Sequence, residues 1–243
     1  MLSVFFVEWA KLRNSLVSLL VLLAPLLIPV FLVLRVIDSD KPFPMMMMLT
    51  GAIGGWLMLL LPLCIIALTV LMAQMEHANS LWTHLQTLPR PRWQTFLAKA
   101  LVAACLVVLM SVIVPLVSYG GLWLVGELIP AKALTGPVDW ANLAAITARA
   151  TGAALLMLVI QLWVALRFRN FVTPLLVGIG GVFFAVNAVS SKYGVWFPWL
   201  MTVNASLATD AKVQALALSL GLGGGLVALG VMLWDLSRRD MPA

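Results

Sequence analysis

Charge is the scarcest commodity in this chain. Only 10% of its 243 residues are Asp, Glu, Lys or Arg, against about a quarter in an ordinary soluble domain. Hydrophobic residues make up 63% and the mean hydropathy is +1.08, which excludes a soluble globular enzyme. Cysteine is nearly absent: Cys64 and Cys105 stand alone inside apolar runs, a spacing that gives neither a zinc site nor a redox pair. The two histidines, His77 and His84, have no carboxylate cluster around them, so no metal is expected. There is no paired-carboxylate site and no GxxxxGK[ST] phosphate loop, so the chain is not expected to hydrolyse nucleotide. No ionisable residue falls near the middle of an apolar run, where a charge costs about 2.5–3.5 kcal/mol and is kept only for a use. That absence disfavours an ion-driven carrier or an intramembrane enzyme.

What is present is length of apolar sequence. Six runs suffice to cross about 30 Å of hydrocarbon as helices, at about 15–36, 47–73, 96–126, 140–166, 171–189 and 213–236. Helices are required because lipid leaves no partner for an unpaired backbone group, and the runs lack the alternation of a membrane barrel. The expected fold is therefore an all-α integral membrane protein with six spans in one domain, 1–243. The first run lacks a small-x-small cleavage site and is expected to be a retained anchor. Net charge is +6, and the basic residues sit at the ends of spans rather than in a stripe with interleaved aromatics. They therefore set orientation rather than nucleic-acid binding. With both termini on one side, that side holds Lys11, Arg13, Arg90, Arg92, Lys99, Arg167, Arg169, Arg238 and Arg239. The other holds Arg35, Lys41, Lys132, Arg149, Lys192 and Lys212. The bias places both termini, and the loop after the second span, in the cytoplasm.

Residues 1–14 carry Leu2, Phe5, Trp9 and Leu12 at helical spacing, with Glu8 and Lys11 on another face. This predicts an amphipathic elbow helix lying in the cytoplasmic interface. The loop 190–212 is rich in Trp, Tyr, Phe, Gly and Pro, as in segments that rest at headgroup level, and one or two short interfacial or re-entrant helices are expected there. Gly221, Gly223, Gly224 and Gly225 allow close helix approach. Polar residues within spans are mild. Interhelical hydrogen bonding accounts for most of them, and a weakly polar path for a few. Arg149 is the deepest charge, and either snorkels outward or meets an anionic headgroup or substrate.

The segment Glu76–Lys99, EHANSLWTHLQTLPRPRWQTFLAK, is a polar island between two apolar runs. Asn79 or Ser80 can cap a helix. Leu81, Trp82, Leu85 and Leu88 form one apolar stripe, and Pro89 ends it. A helix of about two turns is not stable alone. Its stripe lacks the Lys and Arg flanks that anionic lipid favours, so a protein groove fits it better.

At this point the chain resembles the permeases of type II ABC exporters. The resemblance rests on the elbow, six spans, the segment E…W…LQTLPRPRW…F…AK (Glu76, Trp82, Leu88-Pro89, Arg92, Lys99) and the closing WDLSRRD, 234–240. Its short loops are similar to those of the compact subgroup that includes lantibiotic-immunity transporters. The resemblance implies a cytoplasmic coupling helix between the second and third spans, within 76–95, seated on a separate ATPase. Glu76, His77, Leu81, Trp82, Leu85, Leu88, Arg90 and Arg92 would be its contact residues. It further implies two ATPase copies that bind ATP and Mg, no cofactor on this chain, and a second permease chain, identical or related. The setting implied is the bacterial inner membrane with its lipid. The second and fifth spans would line the path, which points to Thr69, Thr173 and Asn187, with Arg149 as a further candidate. The cargo implied by an uncharged lining is an amphipathic peptide, lipid or hydrophobic drug. A secondary carrier or channel, or a membrane scaffold subunit, is the alternative reading.

Overall fold

The computed structural model describes residues 2–13, 15–39, 41–78, 91–191 and 193–238. The described chain is helical. Helix α1 spans Leu2–Leu12 and α2 Leu16–Asp38. Helix α3, Met45–Gly55, runs through a π turn at Trp56–Leu60 into α4, Leu61–Ala78. Helix α5 covers Arg92–Leu128, α6 Trp140–Arg167 and α7 Val172–Ala188. A short α8, Met201–Leu207, precedes α9, Ala211–Arg238. Five of these stretches are long and apolar enough to cross a membrane: α2, the continuous α3–α4 unit, α5, α6 and α9. At 17 residues, α7 is shorter.

The helices start and stop where local chemistry directs. Ser15 caps α2, its side chain accepting from the Val17 amide at 3.2 Å, and Asp139 caps α6 by accepting from the Asn142 amide at 2.9 Å. Helices α4 and α5 run about one turn beyond the expected ends of their spans. An apolar run stops at its first charge, but a helix does not have to. Pro62 removes one backbone donor in the second span. The π turn just before it, where the Leu61 amide bonds the Trp56 carbonyl, takes up the mismatch. Trp56 is buried there and donates its indole N–H to Ser111 Oγ on α5 at 3.1 Å.

The second span is the centre of the bundle: 67% of it is buried within the chain, against 28% for α2 and 22% for α9. Helix α7 approaches it through Gly178, where any Cβ would fall 2.4 Å from the Ile66 side chain. Helices α6 and α9 pack backbone to backbone. A Cβ on Gly221 would meet the Ala153 carbonyl oxygen at 2.5 Å, and one on Gly225 the Leu156 amide nitrogen at 2.8 Å. The expected close approach thus falls on two of the four glycines one turn apart, while Gly223 faces open space.

Helix α1 turns Val4, Glu8 and Leu12, all buried, toward the protein, while Trp9 is 40% exposed on its outer side. The loop 190–212 holds two short helical turns, Gly194–Trp196 and Pro198–Leu200, and helix α8. Tyr193 and Trp196 are exposed, but Trp199, Leu200, Met201, Thr202, Ala205 and Ser206 are buried, and Ser206 Oγ donates to the Ile146 carbonyl of α6 at 3.2 Å. Helix α8 packs against both α6 and α9.

Candidate functional site

Three helices converge at the end of the bundle that carries the stems of segment 79–90. Helix α4 brings Glu76 in its last turn, α5 brings Lys99 two turns after its start, and α1 lays Glu8 and Lys11 across them. Lys99 Nζ donates to Glu8 Oε2 at 2.5 Å and to Glu76 Oε1 at 2.8 Å. Lys11 Nζ donates to Glu8 Oε1 at 2.8 Å and to Glu76 Oε1 at 3.1 Å. The Lys99, Glu8 and Glu76 side chains are 2%, 5% and 1% exposed, and that of Lys11 28%. Two carboxylates and two ammonium groups therefore close a neutral ring at the edge of an apolar bundle.

Burial makes such a ring demanding. Each ion loses hydration, and only good geometry with several partners compensates. Three of the four carboxylate oxygens have partners here, while Glu76 Oε2 is buried with none. Outside the spans, burial alone would lower the Lys11 pKa, but the hydrogen bonds and charges of Glu8 and Glu76 outweigh it and hold the pKa above the usual lysine value. A second clamp lies between α6 and α9. Asp235 Oδ2 accepts from Arg167 Nη1 at 2.7 Å and from Trp163 Nε1 at 2.8 Å.

The sequence does not present the ring as a unit: Glu76 and Lys99 mark the polar island and Glu8 the polar face of the first helix. Ninety-one positions separate Glu8 from Lys99, and no periodicity links them. The available signal is that Glu8 and Glu76 are acids set beside apolar runs, each of which needs a cation once it is buried.

The other expected site residues are dispersed. Leu81, Trp82, Leu85, Leu88 and Arg90 lie outside the described residues, as does the side chain of His77, whose backbone is in the last turn of α4. Arg92 opens α5 and is half-buried. Thr69 is enclosed in the chain, and its hydroxyl donates back to the Ile65 and Ile66 carbonyls at 2.8 and 3.0 Å. Thr173 is half-buried in the first turn of α7. Asn187 is exposed in its last turn, donating to the Phe183 carbonyl at 2.7 Å. Arg149 lies on α6 against α9. These four do not converge on one space within the single chain. An apolar cavity of about 310 Å³ opens between α5 and α6, lined by Val108, Val112, Leu116, Leu143, Thr147 and Thr151. Both threonine hydroxyls bond their own helix, so the cavity offers hydrocarbon only.

Among the described residues no group of three or more His, Cys, Asp or Glu side chains could hold a metal ion. The family model described as ABC-2 family transporter protein matches residues 4–187. The chain belongs to this family. No curated protein and no solved structure matches it. The match runs from α1 to the last turn of α7 and so includes every member of the charge ring. An ABC-2 transporter of this kind is a multi-pass membrane protein and a transport subunit, and membership implies an ABC ATPase as partner in general.

Proposed function

We propose that this ABC-2 family chain is the permease of an ATP-driven exporter in a bacterial inner membrane, and that the charge ring is its transmission joint. In this reading α7 completes six spans, both termini and segment 79–90 are cytoplasmic, and residues 80–88 form the coupling helix. Two ATPase copies, holding the ATP and Mg, drive a pair of permease chains. Residues Leu81, Trp82, Leu85, Leu88 and Arg90 make the contact. Glu76 acts behind it, because a carboxylate 1% exposed holds a stem rather than touching a partner. The cargo is amphipathic or apolar, antimicrobial peptides among the candidates, since the path lining carries no fixed charge beyond Arg149.

One observation carries the reading. Glu8, Lys11, Glu76 and Lys99 bolt the elbow to both stems of the same loop. A push on that loop is passed to α1, α4 and α5 alike: drawing α4 or α5 out of the ring leaves Glu76 or Lys99 unpaired, at about 3–5 kcal/mol, and drawing α1 away breaks the Lys99–Glu8 and Lys11–Glu76 contacts. The test is co-expression with the partner ATPase and measurement of permease-stimulated ATP hydrolysis. Trp82→Asp with Leu85→Asp should abolish stimulation while leaving the permease inserted. Stimulation at the wild-type rate rejects the docking assignment.

A further inference from the structure

At the end of the bundle away from the charge ring, Arg149 is half-buried on α6 and turned toward α9. Its Nη1 donates to Gln214 Oε1 at 3.1 Å, and Gln214 Nε2 donates in turn to the Ala208 carbonyl at 2.6 Å. Ala208 is the cap of α8. The amide nitrogen of Gln214 is thus committed to α8, and its oxygen is left to orient the guanidinium. That group has five N–H donors, of which this bond uses one. Nε is buried without an acceptor. Among the described residues no carboxylate forms an ion pair with Arg149. Along the same helix Arg167 is answered by Asp235 at 2.7 Å. Eighteen residues of α6, about 27 Å, separate the two arginines, so the answered cation lies at one end and the unanswered one in the other half.

Snorkelling does not account for this arrangement. A snorkelling arginine extends its head along its own helix to water, whereas this head is held across the interface by a glutamine that is itself fixed. A cation in an apolar helix is kept for a use, and a planar guanidinium with free donors is suited to two parallel bonds with an oxyanion. Lys212, exposed in the first turn of α9 and two residues from Gln214, adds a second positive charge at the rim. Asp210, whose Oδ1 accepts from the Lys212 amide at 2.8 Å, sets a negative one beside it.

We propose that Arg149, oriented by Gln214, anchors a binding site for a phosphate or carboxylate group at this end of the bundle. The oxyanion belongs either to a lipid headgroup or to the cargo, and it supplies the charge that the chain does not. The site lies within one chain and does not depend on the ATPase reading: the docking test above can fail while this site stands, and the reverse.

The test uses the full-length protein in uncharged detergent, followed by thermal unfolding. The probes are dioctanoyl phosphatidylglycerol, dioctanoylglycerol with the same chains and no phosphate, and inorganic phosphate. The phospholipid should raise the wild-type midpoint and the diacylglycerol should not. Arg149→Gln should weaken the apparent affinity about tenfold, as expected for loss of a charge-assisted pair. A response of the wild type to phosphate alone, lost in Arg149→Gln, assigns the site to a free or cargo-borne anion. A response to the phospholipid only assigns it to the headgroup. Gln214→Leu should weaken binding less than Arg149→Gln, since it removes orientation and leaves the charge. Equal responses of wild type and Arg149→Gln, or no response to either phosphate probe, overturn the proposal. If Arg149→Gln does not survive purification, Arg149→Lys keeps the charge without the fork, and an affinity equal to wild type overturns it as well.

Discussion

Replacing Lys99 by Met tests the charge ring directly. In the wild type two carboxylates face two ammonium groups, and Lys99 supplies the contacts at 2.5 and 2.8 Å. Met fills much the same volume but leaves Glu8 and Glu76 sharing Lys11 alone, with one excess negative charge in a site where both carboxylates are almost fully enclosed. Removing one member of a buried pair costs about 3–5 kcal/mol, and Lys99→Met should fall in that range. Glu76→Gln in the same chain restores neutrality, because the Glu8–Lys11 pair at 2.8 Å remains. The double variant should therefore recover part of the loss, with a coupling energy of about 2 kcal/mol. The assay is unfolding in mixed micelles of the purified chain, followed by tryptophan fluorescence, over the four members of the cycle. Two results refute the reasoning: a Lys99→Met cost within about 0.5 kcal/mol, the range of an ordinary surface substitution, or single-variant effects that simply add.

Two further outcomes follow from other contacts. The Lys11 pKa is raised above 10.5 in the folded chain. Its contribution is therefore complete below that value and is lost only as pH climbs through the higher folded-state value. The stability gap between wild type and Lys11→Met should be flat from neutral pH upward and close only above the ordinary lysine range, and a gap that closes near neutral pH refutes the pairing. At the α6–α9 contact, Gly221→Val must displace the Ala153 backbone and should cost about 1–3 kcal/mol in the same unfolding assay. Gly223→Ala meets nothing within 4 Å and should cost far less. Equal costs contradict the packing.

Five of the six expected spans were legible because apolar length is a direct requirement of the bilayer, and the limits of those helices differ from the expected ones by little more than a turn. Which face of a helix meets protein was not legible. Lipid tails are as apolar as leucine, so Phe5 and Trp9 on α1 carry no information about which neighbour they touch. The informative residue on that helix was Glu8, which can be buried only against a partner cation. In the aromatic loop the burial of single residues is not legible for the same reason. Trp196 and Trp199 read alike in sequence, yet one is exposed and the other enclosed. Small residues gave the better signal: Gly178, Gly221 and Gly225 each mark a true close approach, because a Cβ there would collide. Arg149 was noticed as a deep charge, but its coupling to Gln214, 65 residues later, leaves no pattern in either helix.

The π turn at Trp56–Leu60 has a consequence for the far end of its helix. A plain α turn holds 3.6 residues, and the wider ring at this point takes in one residue more. The halves on either side are therefore set out of phase, by roughly the 100° that one residue spans. Trp56, tied to Ser111, fixes where that offset occurs. Twenty residues farther on, about 30 Å along the axis, Glu76 carries that offset where it meets Lys99 at 2.8 Å. The azimuth of one of the ring's two carboxylates is thus dialled in from the other half of its helix, by a single wide turn.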